Sequence, residues 1–487
     1  MAVDRELQSE IALVKPTRAR HVALGFLCSM AFVLYLDRVC ISQALVPMKR
    51  VYGLGNTQAS WILMSFTLAY GIFEIPTGRW GDRFGSRRVL TRIVLWWSAF
   101  TALTGCVPNI DLELLTIPVS LVFLILIRFL FGAGEAGAIP NSARILMHWF
   151  PDTERGKMQG MYQASMHIGG AIAPLVAAWL IDSRVGWRGT FVLFGCVGVV
   201  WAGAFYWWFR DDPRDHPSVN QAEAQLIGPG AHGSGHGAVP WLAAITHPNV
   251  WLLGITVTLT AFNSYFFFSW YPTYLQEARL VSNQTAGWMA ALALAGATAG
   301  SLIGGVIADR ITRRGGNIYR ARRLLCLTVY VLASVCLYGS IHVDSAWGAA
   351  ILCTTMCVLM FCMLPSWWAC SFDVSGKHTG SLFGLLNGIG LVGAMGSQYF
   401  FGAFVDWRKG LGFERRDGWD PGFYALIAAL LASALLWQFI YPRGVVGEPN
   451  AVPRDSDTAS GDEPLKAAIQ PAANAGIREG PPDPLAR

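Results

Sequence analysis

Gly78-Arg-Trp-Gly-Asp-Arg-Phe-Gly-Ser-Arg-Arg88 returns in the second half of the chain as Gly304-Gly-Val-Ile-Ala-Asp-Arg-Ile-Thr-Arg-Arg314. Each copy follows the second of six apolar segments in its half. The glycines let helix ends approach closely. Asp82 and Asp309 offer a carboxylate that pairs with an arginine or caps a neighbouring helix. The arginines hold such a short turn on the cytoplasmic side of a bilayer. One copy alone is an ordinary basic turn; two copies in register are an internal repeat.

The segments around the repeat read as membrane spans. Of 487 residues, 53% are hydrophobic and 14% charged, where a soluble domain has about a quarter charged. Apolar runs of about 20 residues, the length that crosses a hydrocarbon core, fall at 21–46, 58–77, 89–107, 118–141, 157–181 and 190–209. A second set falls at 249–275, 285–307, 324–341, 347–371, 379–405 and 422–441. The expectation is an all-α membrane protein of twelve transmembrane helices in two pseudo-symmetric six-helix bundles. Many of the 20 tryptophans lie near segment ends, as interfacial belts require.

Arginines gather in every second loop, which orients both termini toward the cytoplasm, although the last outer loop, with Arg408, Lys409, Arg415 and Arg416, runs against the pattern. The domain plan is a cytoplasmic N-terminus (1–20), a first bundle (21–209), a cytoplasmic linker (210–246), a second bundle (247–441) and a disordered cytoplasmic tail (442–487). His232 and His236 sit in a glycine-rich run of the linker that leaves them unorganised as metal ligands. The polar start up to Arg20 and the long first segment do not read as a cleavable signal peptide. Ten cysteines, mostly in apolar segments and without CxxC pairs, read as small buried hydrophobes. The basic residues are spread over short loops and do not form a nucleic-acid surface. No cofactor motif and no nucleophile–base constellation appears, so an enzyme is not expected.

The first copy of the repeat matches in full the signature loop Gly-x-x-x-Asp-Arg-x-Gly-x-Arg-Arg, and the chain from about Arg20 to Tyr441 resembles the major facilitator superfamily. The resemblance implies two bundles rocking about a central cavity, with Gly78, Asp82, Arg83, Gly85, Arg88, Asp309 and Arg310 as a conformational latch.

Charges inside the apolar segments point to function. An ionisable side chain at mid-bilayer costs about 2.5–3.5 kcal/mol even on lenient scales, so it needs a partner or a task. The first segment carries Tyr35-Leu-Asp37-Arg38 and the fourth Arg128-x6-Glu135. Arg128 and Glu135 share a helix face about 10 Å apart along the axis, leaving room for Asp37 and Arg38 to complete an alternating cluster. Glu74, near the second loop, reads as interfacial. A static salt-bridge set holding two helices together is the plain alternative. The functional reading is that arginine presents a fork matching a carboxylate, while a buried carboxyl beside it can exchange a proton near neutral pH. Protonation then releases arginine for an incoming anion, which is symport by linked equilibria.

Tyr-x-Asp-Arg, Arg-x6-Glu, Trp149-Phe-Pro-x3-Glu-Arg155, Gly186-Trp-Arg-Gly189, Arg210-Asp-Asp-Pro-x3-His-Pro217 and Trp270-Tyr-Pro-Thr-Tyr-Leu275 together resemble the anion:cation symporter family. That resemblance implies Arg38 as the carboxylate ligand with Tyr35 and Tyr70 beside it. It implies Asp37 and Glu135 as proton carriers, Arg128 as the control of their pairing, and Tyr265 and Asn387 as the second bundle's part of the pocket. Met166 stands where bacterial aldonate carriers of that family tend to have glutamine, which removes an amide for hydroxyl recognition. His167 beside it is a candidate relay or hydroxyl ligand, and more often such a residue is packing. The expected protein is a monomeric carrier in the bacterial inner membrane, without cofactor or metal, importing a small organic anion such as a sugar acid with protons. An exporter or antiporter of another organic solute and a transporter-like sensor are the alternatives. Two cavity arginines disfavour a cation, and neither linker nor tail offers a signalling module.

Overall fold

The computed structural model describes residues 15–110, 112–114, 117–228, 241–313, 317–375 and 379–440. His232, His236, the first 14 residues and the expected tail lie outside them. Among the described residues twelve main helices run antiparallel in chain order: α1 Ala19–Tyr52, α2 Asn56–Phe84, α3 Ser86–Cys106, α4 Val119–Trp149, α5 Asp152–Asp182 and α6 Gly186–Trp208. The second half has α7 Pro248–Glu277, α8 Asn283–Arg313, α9 Ile318–His342, α10 Ala346–Ser375, α11 Thr379–Gly410 and α12 Phe423–Trp437. All but one cover their apolar segments to within a residue and most extend them into polar residues; α12 stops at Trp437, short of the expected residue 441.

Eleven of these helical stretches, α12 counted with the turns before it from Arg415, are long and apolar enough to cross a membrane. The remaining one, α2, is as long but carries Ser60, Ser65, Thr67 and Thr77, all buried. Its polarity is turned inward, against other helices. The outward faces carry residues such as Val200, Leu302 and Leu435, each more than 60% exposed, as a lipid-facing surface requires.

In the first half α1 packs on α5, α3 on α6 and α2 on α4; in the second, α7 packs on α11, α8 on α10 and α9 on α12. The α1–α5 pair approaches closely at Gly169, where a Cβ would come within 2.7 Å of the Phe32 carbonyl oxygen. Without a hydrophobic force between helices in lipid, such close backbone packing supplies the attraction. The halves meet along α2–α11 and α5–α8.

The first signature copy makes the α2–α3 turn. Gly85 has φ of +81°, a conformation open to glycine, and a Cβ there would lie 2.6 Å from the Asp211 carboxylate. That carboxylate accepts from the Arg87 backbone N–H at 2.8 Å, so the loop after α6 caps α3. Arg83 and Arg88 are exposed, as are Asp309 and Arg310 in the second copy.

Connections alternate between a face that carries the linker and a far face. At the linker face Glu223, fully buried, accepts from the backbone N–H groups of Ala19 and Arg20 and pairs with the Arg20 guanidinium at 3.0 Å. The linker thus caps α1. His216 packs against Trp149 and Trp208, donates from Nε2 to the Trp208 carbonyl at 3.0 Å, and accepts from the Ser218 N–H at Nδ1.

At the far face polar contacts join the halves. Asp406 at the end of α11 accepts from the backbone N–H groups of Asn56 and Thr57 at 3.0 and 2.7 Å, capping α2 from the other bundle. Lys49 of α1 pairs with Glu277 of α7, which also takes Lys409 at 3.1 Å. Gln43 donates to the Asn283 carbonyl at 2.8 Å, and Asn283 donates to Asp182. On the linker side of the centre, Asn387 donates to Glu74 at 3.0 Å.

Burial pushes the His216 pKa below its ordinary value, more than the Trp208 carbonyl raises it. The folded linker therefore favours neutral imidazole. Its contribution is complete above the ordinary histidine value of about 6.5 and is lost as pH falls below it. Backbone amides of residues 210–228 are expected to exchange hydrogen faster, relative to intrinsic rates, at pH 5.5 than at pH 7.5. His216→Phe should remove that difference.

Candidate functional site

A cavity of about 150 Å³ lies in the seam between the halves. Tyr35, Arg38 and Arg128 line it from the first bundle and Tyr265, Ser269 and Gln398 from the second. Asp37 and Arg38 are consecutive on α1, so their side chains leave the helix about 100° apart. Arg38 reaches the cavity, while Asp37 turns inside the bundle, 1% exposed, among Glu135, Arg128 and the Trp97 indole.

Arg38 holds the site together. Its Nε donates to Glu135 Oε1 at 2.9 Å and its Nη2 to the same oxygen. The guanidinium lies over the rings of Tyr70, Phe66 and Tyr35, with centroids 4.9, 5.2 and 5.3 Å away, in cation–π contact. Glu135 is the last residue of the helical stretch Val119–Glu135, where α4 breaks; its Oε2 accepts no hydrogen bond. Arg128, 1% exposed, rests over Phe131 at 4.4 Å, and its Nε and Nη1 donate to nothing. Neither Asp37 oxygen accepts a hydrogen bond.

The expected four-member cluster is therefore assembled, with a different pairing. Arg38, not Asp37, spans to Glu135, because the arginine stem carries its fork across the gap from α1. Asp37 and Arg128 stay beside each other electrostatically without an ion pair. Four ionisable groups, three of them buried and Arg38 partly so, thus share one realised bridge.

Tyr35 and Tyr265 line the cavity, and Tyr70 borders it through the Arg38 guanidinium. Asn387 is not among the lining residues; its amide is engaged by Glu74. Glu74, expected near the cytoplasmic loop at the membrane boundary, is half-buried in the α2–α11 seam, where it accepts from Asn387. Met166 is packed in the apolar core with Tyr162, and neither it nor half-buried His167 lines the cavity.

The sequence reading missed Ser269, Gln398 and Thr67. Gln398 Nε2 donates to Ser269 Oγ at 3.1 Å, and Thr67 Oγ1 donates to Gln398 Oε1 at 3.0 Å. Ser269 lies in a π-helical turn, Phe266–Trp270, within α7. Pro272, just beyond, has no N–H for the Phe268 carbonyl, which accounts for the departure from α geometry. The available signal was a serine in the apolar run FFFSW and a Ser–Gln pair in MGSQYFF.

The match to the Major Facilitator Superfamily model covers residues 27–398, from within α1 to Gln398 itself. The chain belongs to the Major Facilitator Superfamily. Among curated relatives it is 30% identical over 438 residues to a probable sulfoacetate transporter of Cupriavidus necator, covering 89% of this chain and 96% of that one. It is 27% identical to a probable galactarate/D-glucarate transporter of Bacillus subtilis, covering 82% and 90%. Among solved structures, a bacterial homologue of the human lysosomal transporter Spinster, inward-facing and unoccupied, superposes with a TM-score of 0.70 at 19% identity, covering 87% and 97%. A D-xylose–proton symporter superposes with a TM-score of 0.63 at 15% identity, covering 87% and 98%. This Major Facilitator Superfamily protein is a multi-pass membrane transporter, not an enzyme.

Breaking one side of a buried pair leaves an uncompensated charge, a loss of about 3–5 kcal/mol, whereas replacing both partners by apolar residues is often neutral. Glu135→Ala should thus lower the thermal midpoint of the detergent-purified protein clearly. The double variant Arg38→Met with Glu135→Met should melt close to the wild type.

Proposed function

We propose that this transporter is a proton-coupled symporter of a small organic anion, working by alternating access. The observation that carries the reading is the Arg38–Glu135 bridge on the wall of a cavity that both bundles line. In this reading, a substrate carboxylate takes the place of Glu135 on the Arg38 fork, a bidentate match, while the aromatic rings keep the guanidinium in place. Displaced from arginine, Glu135 accepts a proton, since an unpaired carboxylate in a dry site is costly.

Charge balance supports the coupling. Asp37, Arg38, Arg128 and Glu135 sum to zero when all are ionised. An added negative charge disturbs that balance inside the membrane, and a proton on Glu135 or Asp37 restores it. With Glu135 neutral, Arg128 draws on Asp37, so the second pair answers the state of the first. Binding of anion and binding of proton then favour one another, as linkage demands.

The relatives named for sulfoacetate and for galactarate/D-glucarate support an acid as substrate. A sugar acid with hydroxyls remains within this reading. Asn387 would join the pocket if Glu74 released it, and the signature turns holding Gly78, Asp82 and Gly85 would serve as the latch between conformations. In this reading the linker face, with its arginine-rich connections, is cytoplasmic in a bacterial inner membrane, and the protein acts as a monomer.

The test is uptake into proteoliposomes under an imposed pH gradient. Arg38→Ala should cut initial uptake of an accepted anion at least about 100-fold, consistent with loss of a charge-assisted pair. Glu135→Gln should lose accumulation driven by the pH gradient while keeping exchange of labelled for unlabelled anion. Undiminished uptake by Arg38→Ala would end the carboxylate-binding role, and gradient-driven accumulation by Glu135→Gln would end its role as proton carrier.

A further inference from the structure

The second bundle's wall of the cavity carries a hydrogen-bond chain with a direction. Thr67 on α2 donates to the Gln398 amide oxygen, and the Gln398 amide nitrogen donates to Ser269 Oγ, at 3.0 and 3.1 Å. The Trp270 indole donates to the Gln398 backbone carbonyl at 3.0 Å, pinning that stretch of α11 to α7. All three members are buried: Thr67 is 1%, Gln398 2% and Ser269 5% exposed. Because Ser269 Oγ accepts from Gln398, its own proton points elsewhere. Among the described residues it donates to no protein acceptor, and Ser269 lines the cavity with Arg38 and Arg128.

An ordinary packing serine in a helix returns its proton to a carbonyl one turn back, as Ser264 does to Thr260. Ser269 does not, since the π turn changes its register. A donor held by an amide and left uncommitted inside a site with two arginines calls for an acceptor from the ligand.

Resting on the symport reading above, we propose that the Thr67–Gln398–Ser269 chain is the specificity element of the site. It aims the Ser269 hydroxyl at the second acid group of a short two-headed anion whose first carboxylate sits on Arg38. The substrate class is then dicarboxylates and sulfocarboxylates with a few atoms between their acid groups. A cavity of about 150 Å³ fits a short spacer. A monocarboxylate with an apolar tail would bury its methyl groups against a committed amide and an unanswered hydroxyl.

The chain also reports closure. Thr67 belongs to the first bundle and Gln398 and Ser269 to the second, so the aim of Ser269 is set only while α2 and α11 are apposed. Gln398 and Thr67 are positioning residues; Ser269 touches the substrate.

The experiment measures KM and kcat of proteoliposome uptake for sulfoacetate and malonate against acetate and propionate. The wild type should prefer the two-headed anions. Ser269→Ala should raise KM for sulfoacetate or malonate about 10-fold or more, leaving the one-headed acids within about twofold, so the preference collapses. Ser269→Thr, which keeps the hydroxyl, should retain it. Gln398→Leu should reproduce the Ser269→Ala profile, and the two together should be no worse than either. Equal loss on both classes in Ser269→Ala, or no loss on either, overturns the proposal. If Arg38→Ala abolishes uptake in the same preparation, the symport reading survives that result. A wild type that takes up one-headed acids in preference also overturns the specificity proposal alone. A wild type that carries none of these anions, nor any sugar acid, overturns both.

Discussion

A guanidinium buried between helices in a bilayer must be answered by negative charge, by aromatic faces or by both, and Arg38 has both. Glu135 takes two of its N–H groups, and Tyr35, Phe66 and Tyr70 enclose the rest of the plane. This fixes the depth and rotation of α1 against α2 and α4. Once Arg38 faces the seam, its neighbour on α1 must point into the bundle. Asp37 therefore meets Arg128, and the second pair is created by the geometry of the first. The site follows from one ion pair and the pitch of a helix.

That pair also sets the tension between stability and function. A bridge with every lone pair satisfied would be a permanent helix clamp. Here Glu135 Oε2, both Asp37 oxygens and two Arg128 nitrogens are buried without hydrogen bonds. With all four members ionised the cluster is neutral as a whole, and it is incomplete in its parts, so a change of one proton or one anion can rearrange it. Most of the stability then has to come from elsewhere: from the apolar cores, from close glycine contacts such as Gly169 on Phe32, and from caps such as Glu223 on α1.

Most of the architecture could be read from the chain because membrane spans announce themselves by length and polarity. All twelve segments and the repeat at Gly78 and Gly304 were visible. The same logic located Asp37, Arg38, Arg128 and Glu135, since charge in an apolar run is conspicuous. What periodicity could not reveal was who pairs with whom. Asp37 and Arg38 are adjacent in sequence, and one helical step decides that Arg38 takes Glu135. Asn387 was assigned to the pocket by resemblance, yet Glu74 holds its amide. Ser269 and Gln398 were passed over because uncharged polar residues are common in spans, and only the π turn before Pro272 brings Ser269 to the cavity. The polar linker stands out by composition, but its docking does not: Glu223 meets Arg20, 203 residues away in sequence, and His216 meets the Trp149 ring.

The cap that Asp406 places on α2 couples the shape of the molecule to its solvent. While the far face is closed, the leading amides of α2 are saturated by a carboxylate borrowed from the other bundle. If that face parts, the same amides and the same carboxylate must each be hydrated. Every excursion to the open shape is thus an uptake of water by groups that otherwise serve one another. Osmolytes and crowded surroundings, which lower the activity of water, press the molecule toward the closed shape, so that its resting balance follows hydration.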